Sequence, residues 1–252
     1  MKSGLGVVLN TRPRNQAAEL SRLLRLAGFE VVEAPAIEVV PAWDPVQLQV
    51  VRVGLADRVY DWVVLASQNA GWLLRDELRR GRARVVCGAA SARALLLPAE
   101  FTLDRFSASA VLELLRALVQ PGQHILVPTA EEGDTELIDG LQALGARVLA
   151  PVAYRTLAVA PATLASAAAR LVSGEVDVVT ACSPSAITSL VAAVGPESIS
   201  ASELICIGET TAEAARRAAL RVDAVADMTT MAALVEAVVA ATASCRVALE
   251  PV

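Results

Sequence analysis

The sequence predicts an α/β protein of two similar lobes, each a parallel sheet flanked by helices. Three observations lead to that class. Apolar runs alternate with helical periodicities along the chain, as parallel sheets covered on both faces require. The chain also repeats itself. Val63-Val64-Leu65-Ala66-Ser67-Gln68-Asn69-Ala70 and Gly88-Ala89-Ala90-Ser91-Ala92 are answered by Val178-Val179-Thr180-Ala181-Cys182-Ser183-Pro184-Ser185-Ala186 and Gly208-Glu209-Thr210-Thr211-Ala212. Finally, the two copies are interleaved. Each holds an apolar run, a Ser-x-Ser/Asn-Ala turn and a Gly-x-x-Ser/Thr-Ala turn, which suggests two lobes facing a cleft.

The elements follow in order. Gly6 to Asn10 is an apolar strand, and Arg14 to Ala27 has helical periodicity through Leu20, Leu23, Leu24 and Ala27. Gly28 stands where a helix C-terminal glycine belongs, and Phe29 to Glu33 is the next strand. The same succession recurs as Ile125 to Val127, Leu137 to Leu144, Gly145, and Arg147 to Ala150, so that Val31 matches Val148 and Ile37 matches Tyr154. Pro41 to Pro45 has linker composition, as does the less polar Arg155 to Pro161. Asp57 to Val64 enters a strand that contains Trp62. Phe106 to Glu113 aligns with Thr229 to Glu236, and Ser107 and Thr230 each stand at the N-cap of an amphipathic helix. Right-handed crossovers place the strand-end turns of a lobe along one edge. Ser244 to Val252 is expected to be frayed.

Composition narrows the function. At 252 residues the chain makes one large domain or two smaller ones. It is 55% hydrophobic with 3% aromatics, so the core is aliphatic. No apolar stretch reaches the roughly 18 residues of a membrane span, and no basic-then-apolar leader opens the chain. A soluble cytoplasmic protein without a membrane partner is expected. The 22 basic and 27 acidic residues are mixed and give a net charge of −5, which argues against nucleic acid. Arg75, Arg79, Arg80, Arg82 and Arg84 form the dense basic cluster, best read as a solvated helix end. Cys87, Cys182, Cys206 and Cys245 form no C-x-x-C pair, and His124 is the single histidine, so no metal site is expected. A monomer is expected, because no heptad or exposed apolar stripe is legible.

Cofactor fingerprints are missing. Gly4-Leu5-Gly6 precedes the first strand without a third glycine, and there is no P-loop and no G-x-S-x-G elbow. No cofactor is expected. Cys182 lies in a strand-end turn where a helix N-terminus can activate a thiolate, but no base lies nearby in sequence. What remains is a set of small polar residues at matched turns: Ser67, Asn69, Ser91, Ser183, Ser185 and Thr211. Helix capping explains each alone. Together they suit a small polyanion, because helix N-termini bind carboxylates without many basic side chains.

Five segments carry a resemblance to the uroporphyrinogen-III synthase family: Leu9-Asn10-Thr11-Arg12-Pro13, Trp62 to Ala70, Pro151-Val152-Ala153-Tyr154-Arg155-Thr156, Ser183-Pro184-Ser185-Ala186, and Ile207 to Ala212. The resemblance covers roughly residues 5 to 240. It implies two flavodoxin-like lobes joined by two antiparallel connecting strands. One lobe takes residues 1–36 and 158–252, the other 41–153, with linkers at 37–40 and 154–157. It implies a lyase that closes a linear tetrapyrrole, hydroxymethylbilane, and inverts ring D, largely by positioning. Tyr154 matches the family's candidate donor to the departing hydroxyl, a role open to a phenol at neutral pH. Thr11 and Arg12 are expected to meet an acetate or propionate arm, Arg12 bidentately. Ser67, Asn69, Ser91, Ser107, Ser183, Ser185, Thr211 and Thr230 are expected to line the substrate site. The resemblance also allows a transient contact with the preceding pathway enzyme. The chain departs from the family at Thr129-Ala130-Glu131-Glu132-Gly133, where an Arg-Gly pair is common, and at Ala66, where threonine is common. Two other readings remain open at this point. One is a ligand sensor without turnover, motivated by those departures. The other is a different small-molecule enzyme on the same scaffold.

Overall fold

The computed structural model describes residues 5–104, 106–133 and 135–247. In chain order the first elements are β1 (Val7–Asn10), α1 (Arg14–Leu26), β2 (Glu30–Glu33), β3 (Ile37–Pro41), α2 (Pro45–Ala56), β4 (Trp62–Leu65) and α3 (Gln68–Gly71). A short 3-10 turn (Trp72–Leu74) leads to α4 (Arg75–Arg80), β5 (Arg84–Gly88), α5 (Ala89–Leu95), β6 (Phe101–Leu103), α6 (Ala108–Arg116), β7 (His124–Leu126) and β8 (Thr129–Ala130). Then come α7 (Glu136–Ala143), β9 (Arg147–Leu149), β10 (Val152–Ala158), a second 3-10 turn (Pro161–Leu164), α8 (Ala165–Val172), β11 (Val178–Ala181) and α9 (Pro184–Val194). The chain continues through α10 (Pro196–Ser200), β12 (Glu203–Cys206), α11 (Glu209–Arg217), β13 (Ala224–Val225) and α12 (Met231–Val247). The expected frayed end begins inside α12, and residues 248–252 lie outside the described residues.

The chain divides into two compact lobes, Met1–Glu38 with Leu157–Val252, and Val39–Thr156. The first lobe holds a sheet ordered β13-β12-β11-β1-β2, the second one ordered β6-β5-β4-β7-β9, and neighbouring strands in both pair parallel. The two orders become one when β4, β5, β6, β7 and β9 are laid on β11, β12, β13, β1 and β2. Each lobe is therefore a circular rearrangement of the other, which is why the sequence repeats interleave. β3, β10 and β8 form a small third sheet in that order.

Both large sheets are buried on both faces, and strand periodicity says how. In the first lobe Leu9, Val179, Leu204 and Cys206 face a core with α8, α9, α10 and α11, while Val8, Val178 and Ile205 face α1 and α12. In the second, Val63, Leu65, Val85 and Cys87 face α2, α3, α4 and α5, while Trp62, Val64, Val86 and Ile125 face α6 and α7. Gly28 and Gly145 end α1 and α7 with φ of +95° and +85°, the left-handed turn their places predict. Ser107 caps α6 by accepting from the Ala110 N–H, and Thr230 accepts from the Ala233 N–H at the start of α12.

Candidate functional site

In each lobe the strand order reverses once, between β1 and β11 in the first and between β4 and β7 in the second. Open parallel sheets bind ligands beyond the carboxyl ends of the strands at such a point. Thr11 and Arg12 after β1, Ser183 and Ser185 after β11, and Ser67 and Asn69 after β4 fall at those points, but they do different things.

In the first lobe, Asn10 is fully buried and shapes the turn out of β1. Its amide donates to the Ala17 carbonyl (3.2 Å) and to Ser21 Oγ (3.0 Å), and its oxygen accepts the Arg12 N–H (3.1 Å). Thr11 is also buried, and its hydroxyl donates to the Thr180 carbonyl at 2.8 Å. Thr180 returns a bond to the Leu9 carbonyl at 3.0 Å. The Thr11 side chain is therefore a tie between β1 and β11, with its hydroxyl proton committed there. Arg12 is half-buried and braced by Gln16, through Nε to its carbonyl (3.0 Å) and Nη2 to Oε1 (2.9 Å). The same guanidinium hydrogen-bonds Cys182. Burial pushes that thiol up, and Arg12 only partly offsets it.

Next to Cys182, Ser183 caps α9 by accepting from the Ala186 N–H (3.2 Å), and its hydroxyl meets exposed Ser185 Oγ at 3.2 Å. Pro184 occupies the first helical position, where its missing N–H costs nothing. A long helix N-terminus, two hydroxyls and a braced arginine thus gather at the switch point, an arrangement suited to a carboxylate.

The second lobe is built otherwise. Ser67 caps α3 by accepting from the Asn69 N–H at 3.1 Å, but α3 has only 4 residues before the 3-10 turn. So short a helix sums little dipole, and its turn is a weak anion site. The Ser67 hydroxyl instead donates to Tyr154 Oη at 3.2 Å. Tyr154 lies on β10 just after a register shift between Val152 and Tyr154, where β10 pairs with β8. Bulges of this kind re-aim side chains and recur beside functional sites. The Tyr154 ring packs half-buried against the core of Val63, Leu65 and Leu126, with its hydroxyl held by Ser67. Glu131 is exposed, and its N–H donates to the Tyr154 carbonyl at 2.9 Å.

Ser91 and Thr211 do not cap helices. Each is the third residue of its helix, α5 and α11, whose N-caps are Gly88 and Gly208 without a side-chain cap bond. Thr211 is in addition buried at 4% exposure, because helix periodicity turns it to the core side of α11 with Ala212 and Ala215. Sequence reasoning missed Asn10, Gln16 and Thr180. Gln16 follows Arg12 at helical spacing and was findable, whereas Thr180 acts across strands distant in sequence. Among the described residues no cluster of three or more metal-ligating side chains occurs, and no helix is long and apolar enough to cross a membrane.

A family model described as uroporphyrinogen-III synthase HemD matches residues 18–236. The chain belongs to the uroporphyrinogen-III synthase family. It is 30% identical over 161 residues to a uroporphyrinogen-III synthase of Synechococcus elongatus, a match covering 59% of this chain and 60% of that protein. It is 27% identical over 226 residues to the porphyrin biosynthesis protein HemD of Ruminiclostridium josui, covering 85% of this chain and 44% of that protein. The chain thus spans less than two thirds of the length of either relative. Among solved structures, a mutant uroporphyrinogen III synthase from Thermus thermophilus matches with a TM-score of 0.57 at 17% identity, over 95% of this chain and 99% of that one. A uroporphyrinogen-III synthetase from Helicobacter pylori matches with 0.58 at 14% identity, over 93% and 98%. At these identities the structural likenesses establish the fold of the family, and the site rests on this chain's own geometry.

Proposed function

We propose that this protein is a uroporphyrinogen-III synthase, a lyase of tetrapyrrole biosynthesis that cyclises hydroxymethylbilane with inversion of ring D. The observation that carries the reading is the family match across residues 18–236. Each lobe, taken by itself, offers one capability. Arg12, Ser183, Ser185 and the N-terminus of α9 suit the carboxylate arms of the substrate. Tyr154 suits the hydroxyl that departs. In that step the C–O bond breaks with its electron pair on oxygen. The phenol hydrogen bond assists, and the neighbouring pyrrole nitrogen supplies the electrons that stabilise the carbon left behind. Attack by the substituted carbon of ring D then gives a spiro intermediate, which fragments and re-closes. The substrate carries its own electron source, so the protein's task is to fix its curl.

The test is a coupled assay in which hydroxymethylbilane is generated in place and the product isomers are separated. Isomer III in excess is expected. Isomer I alone, the spontaneous product, contradicts the reading.

One observation favours a second reading, a sensor that binds a tetrapyrrole without turnover. Glu131, bonded through its N–H to the Tyr154 carbonyl, and the next residue Glu132 are both exposed, and acidic charge in this segment opposes a polyanion. Tight binding with unchanged substrate lifetime would select it.

A further inference from the structure

We infer that Ser67 acts on Tyr154 and not on the substrate, as the positioning residue that directs the phenol proton. This rests on the reading of Tyr154 as the donor to the leaving hydroxyl. The argument begins with valence. A phenol oxygen has one proton, held near the ring plane, and lone pairs that accept. Ser67 Oγ donates to Tyr154 Oη at 3.2 Å and therefore occupies one side of that oxygen. The Tyr154 proton is left to the other side, free for a ligand. Ser67 is itself fixed, because its oxygen accepts the Asn69 N–H at 3.1 Å. Amide, hydroxyl and phenol thus form one directed chain, each member donating to the next, and such chains polarise cooperatively.

The energetic consequence falls on the right state. As the C–O bond of the substrate breaks, the Tyr154 proton moves towards the leaving oxygen, which departs as water. Negative charge grows on Oη. The Ser67 donation strengthens as that charge develops, so it stabilises the transition state more than the ground state. The proton is restored to the phenol when the ring carbon that closes the macrocycle loses its own.

The first lobe shows that capping does not require this. Ser183, the matched residue, also caps its helix, accepting from the Ala186 N–H, yet its hydroxyl meets Ser185 and not an aromatic donor. The residue matched to Tyr154 there is Ile37, buried in the core. One lobe kept the serine as a cap alone, while the other coupled it to a tyrosine.

The experiment compares Ser67→Ala, Ser67→Gly, Ser67→Thr, Tyr154→Phe and the Ser67→Ala/Tyr154→Phe double variant of the full chain, with hydroxymethylbilane supplied in place. Ser67→Ala and Ser67→Gly are expected to lower kcat about tenfold with KM kept. Glycine retains most of the cap and so separates capping from donation. Ser67→Thr restores the hydroxyl and most of kcat. The double variant is expected to be no slower than Tyr154→Phe alone. Additive losses, or a raised KM with kcat kept, overturn the proposal in favour of a direct substrate contact. A Tyr154→Phe variant as fast as wild type overturns it together with the role of Tyr154, while product III from that variant leaves the synthase reading intact. A measurement independent of turnover uses fluorotyrosine in the chain's two tyrosines, Tyr60 and Tyr154. Ser67→Ala is expected to move the Tyr154 fluorine resonance, assigned by Tyr154→Phe, and to leave that of Tyr60 in place. An unmoved Tyr154 resonance removes the contact and the proposal with it.

Discussion

At the scale of single residues, charge placement sets two expectations. Glu203 opens β12, and burial raises its carboxyl above its usual value, with Asp223 and Asp177 adding to the shift and Arg221 opposing it. Its Oε2 is buried without a hydrogen-bond partner. A carboxylate so placed destabilises the fold at every pH above its ordinary titration, because the folded state holds the proton more tightly than the unfolded one. Glu203→Gln should therefore raise Tm in thermal melts at neutral pH. A fall would show that the charge is compensated. Glu131 bears on function instead. Its amide is tied to the Tyr154 carbonyl, which sets an exposed acidic residue beside the proposed donor on the neighbouring strand. Glu131→Gln should lower KM about two- to fivefold at low salt, and the gain should shrink as salt screens the charge. A KM unchanged at low salt would take Glu131 away from the substrate.

The elements explain why the site residues stand where they do, and how much of that the sequence discloses. α3 passes close over its sheet because Gly71 has no side chain. A Cβ there would lie 2.8 Å from Leu95 Cδ1 and 2.9 Å from Leu65 Cδ1, both in fully buried leucines. Gly71→Ala should cost about 1–3 kcal/mol by overpacking and should shift Ser67 away from Tyr154, lowering Tm and kcat together. Loss of Tm with kcat kept would separate α3 from the chemistry. Strands, helices and glycine-ended turns were legible because their periods and punctuation are local: Gly28 and Gly145 end their helices as read. Which polar residue faces the core was not. Thr11 and Thr211 sit at turns, yet one bonds across the sheet and the other turns inward on its helix, and those outcomes depend on neighbours remote in sequence. The Ser67–Tyr154 bond joins two motifs that the sequence offers separately. Val46, Val50 and Val53 are exposed along one side of α2, an apolar row that composition does not reveal.

For the whole molecule, one topology carries two kinds of equipment. The first lobe offers α9, an 11-residue helix, with an arginine at its switch point. The second breaks the equivalent helix after 4 residues and offers a phenol. Both cores share a thiol liability. Burial pushes Cys87 up to about 11 and Cys206 up to about 12, from an ordinary 9.0. Each folded state holds its proton more tightly than the unfolded chain, so stability is full below pH 9 and falls as pH rises towards those values. Thermal melts should show Tm falling in that alkaline window, with the fall reduced in Cys87→Ala and Cys206→Ala. An identical alkaline limb in both variants would trace the loss to other groups.

The central claim is that the protein dictates the curl of the substrate while Tyr154 assists departure of its hydroxyl. A single-turnover comparison of wild type and Tyr154→Phe, reading both rate and product isomer, tests it most directly. Wild type should give isomer III, and the variant should give the same isomer roughly a hundredfold more slowly. Isomer I from wild type, or equal rates from the two proteins, would contradict the account.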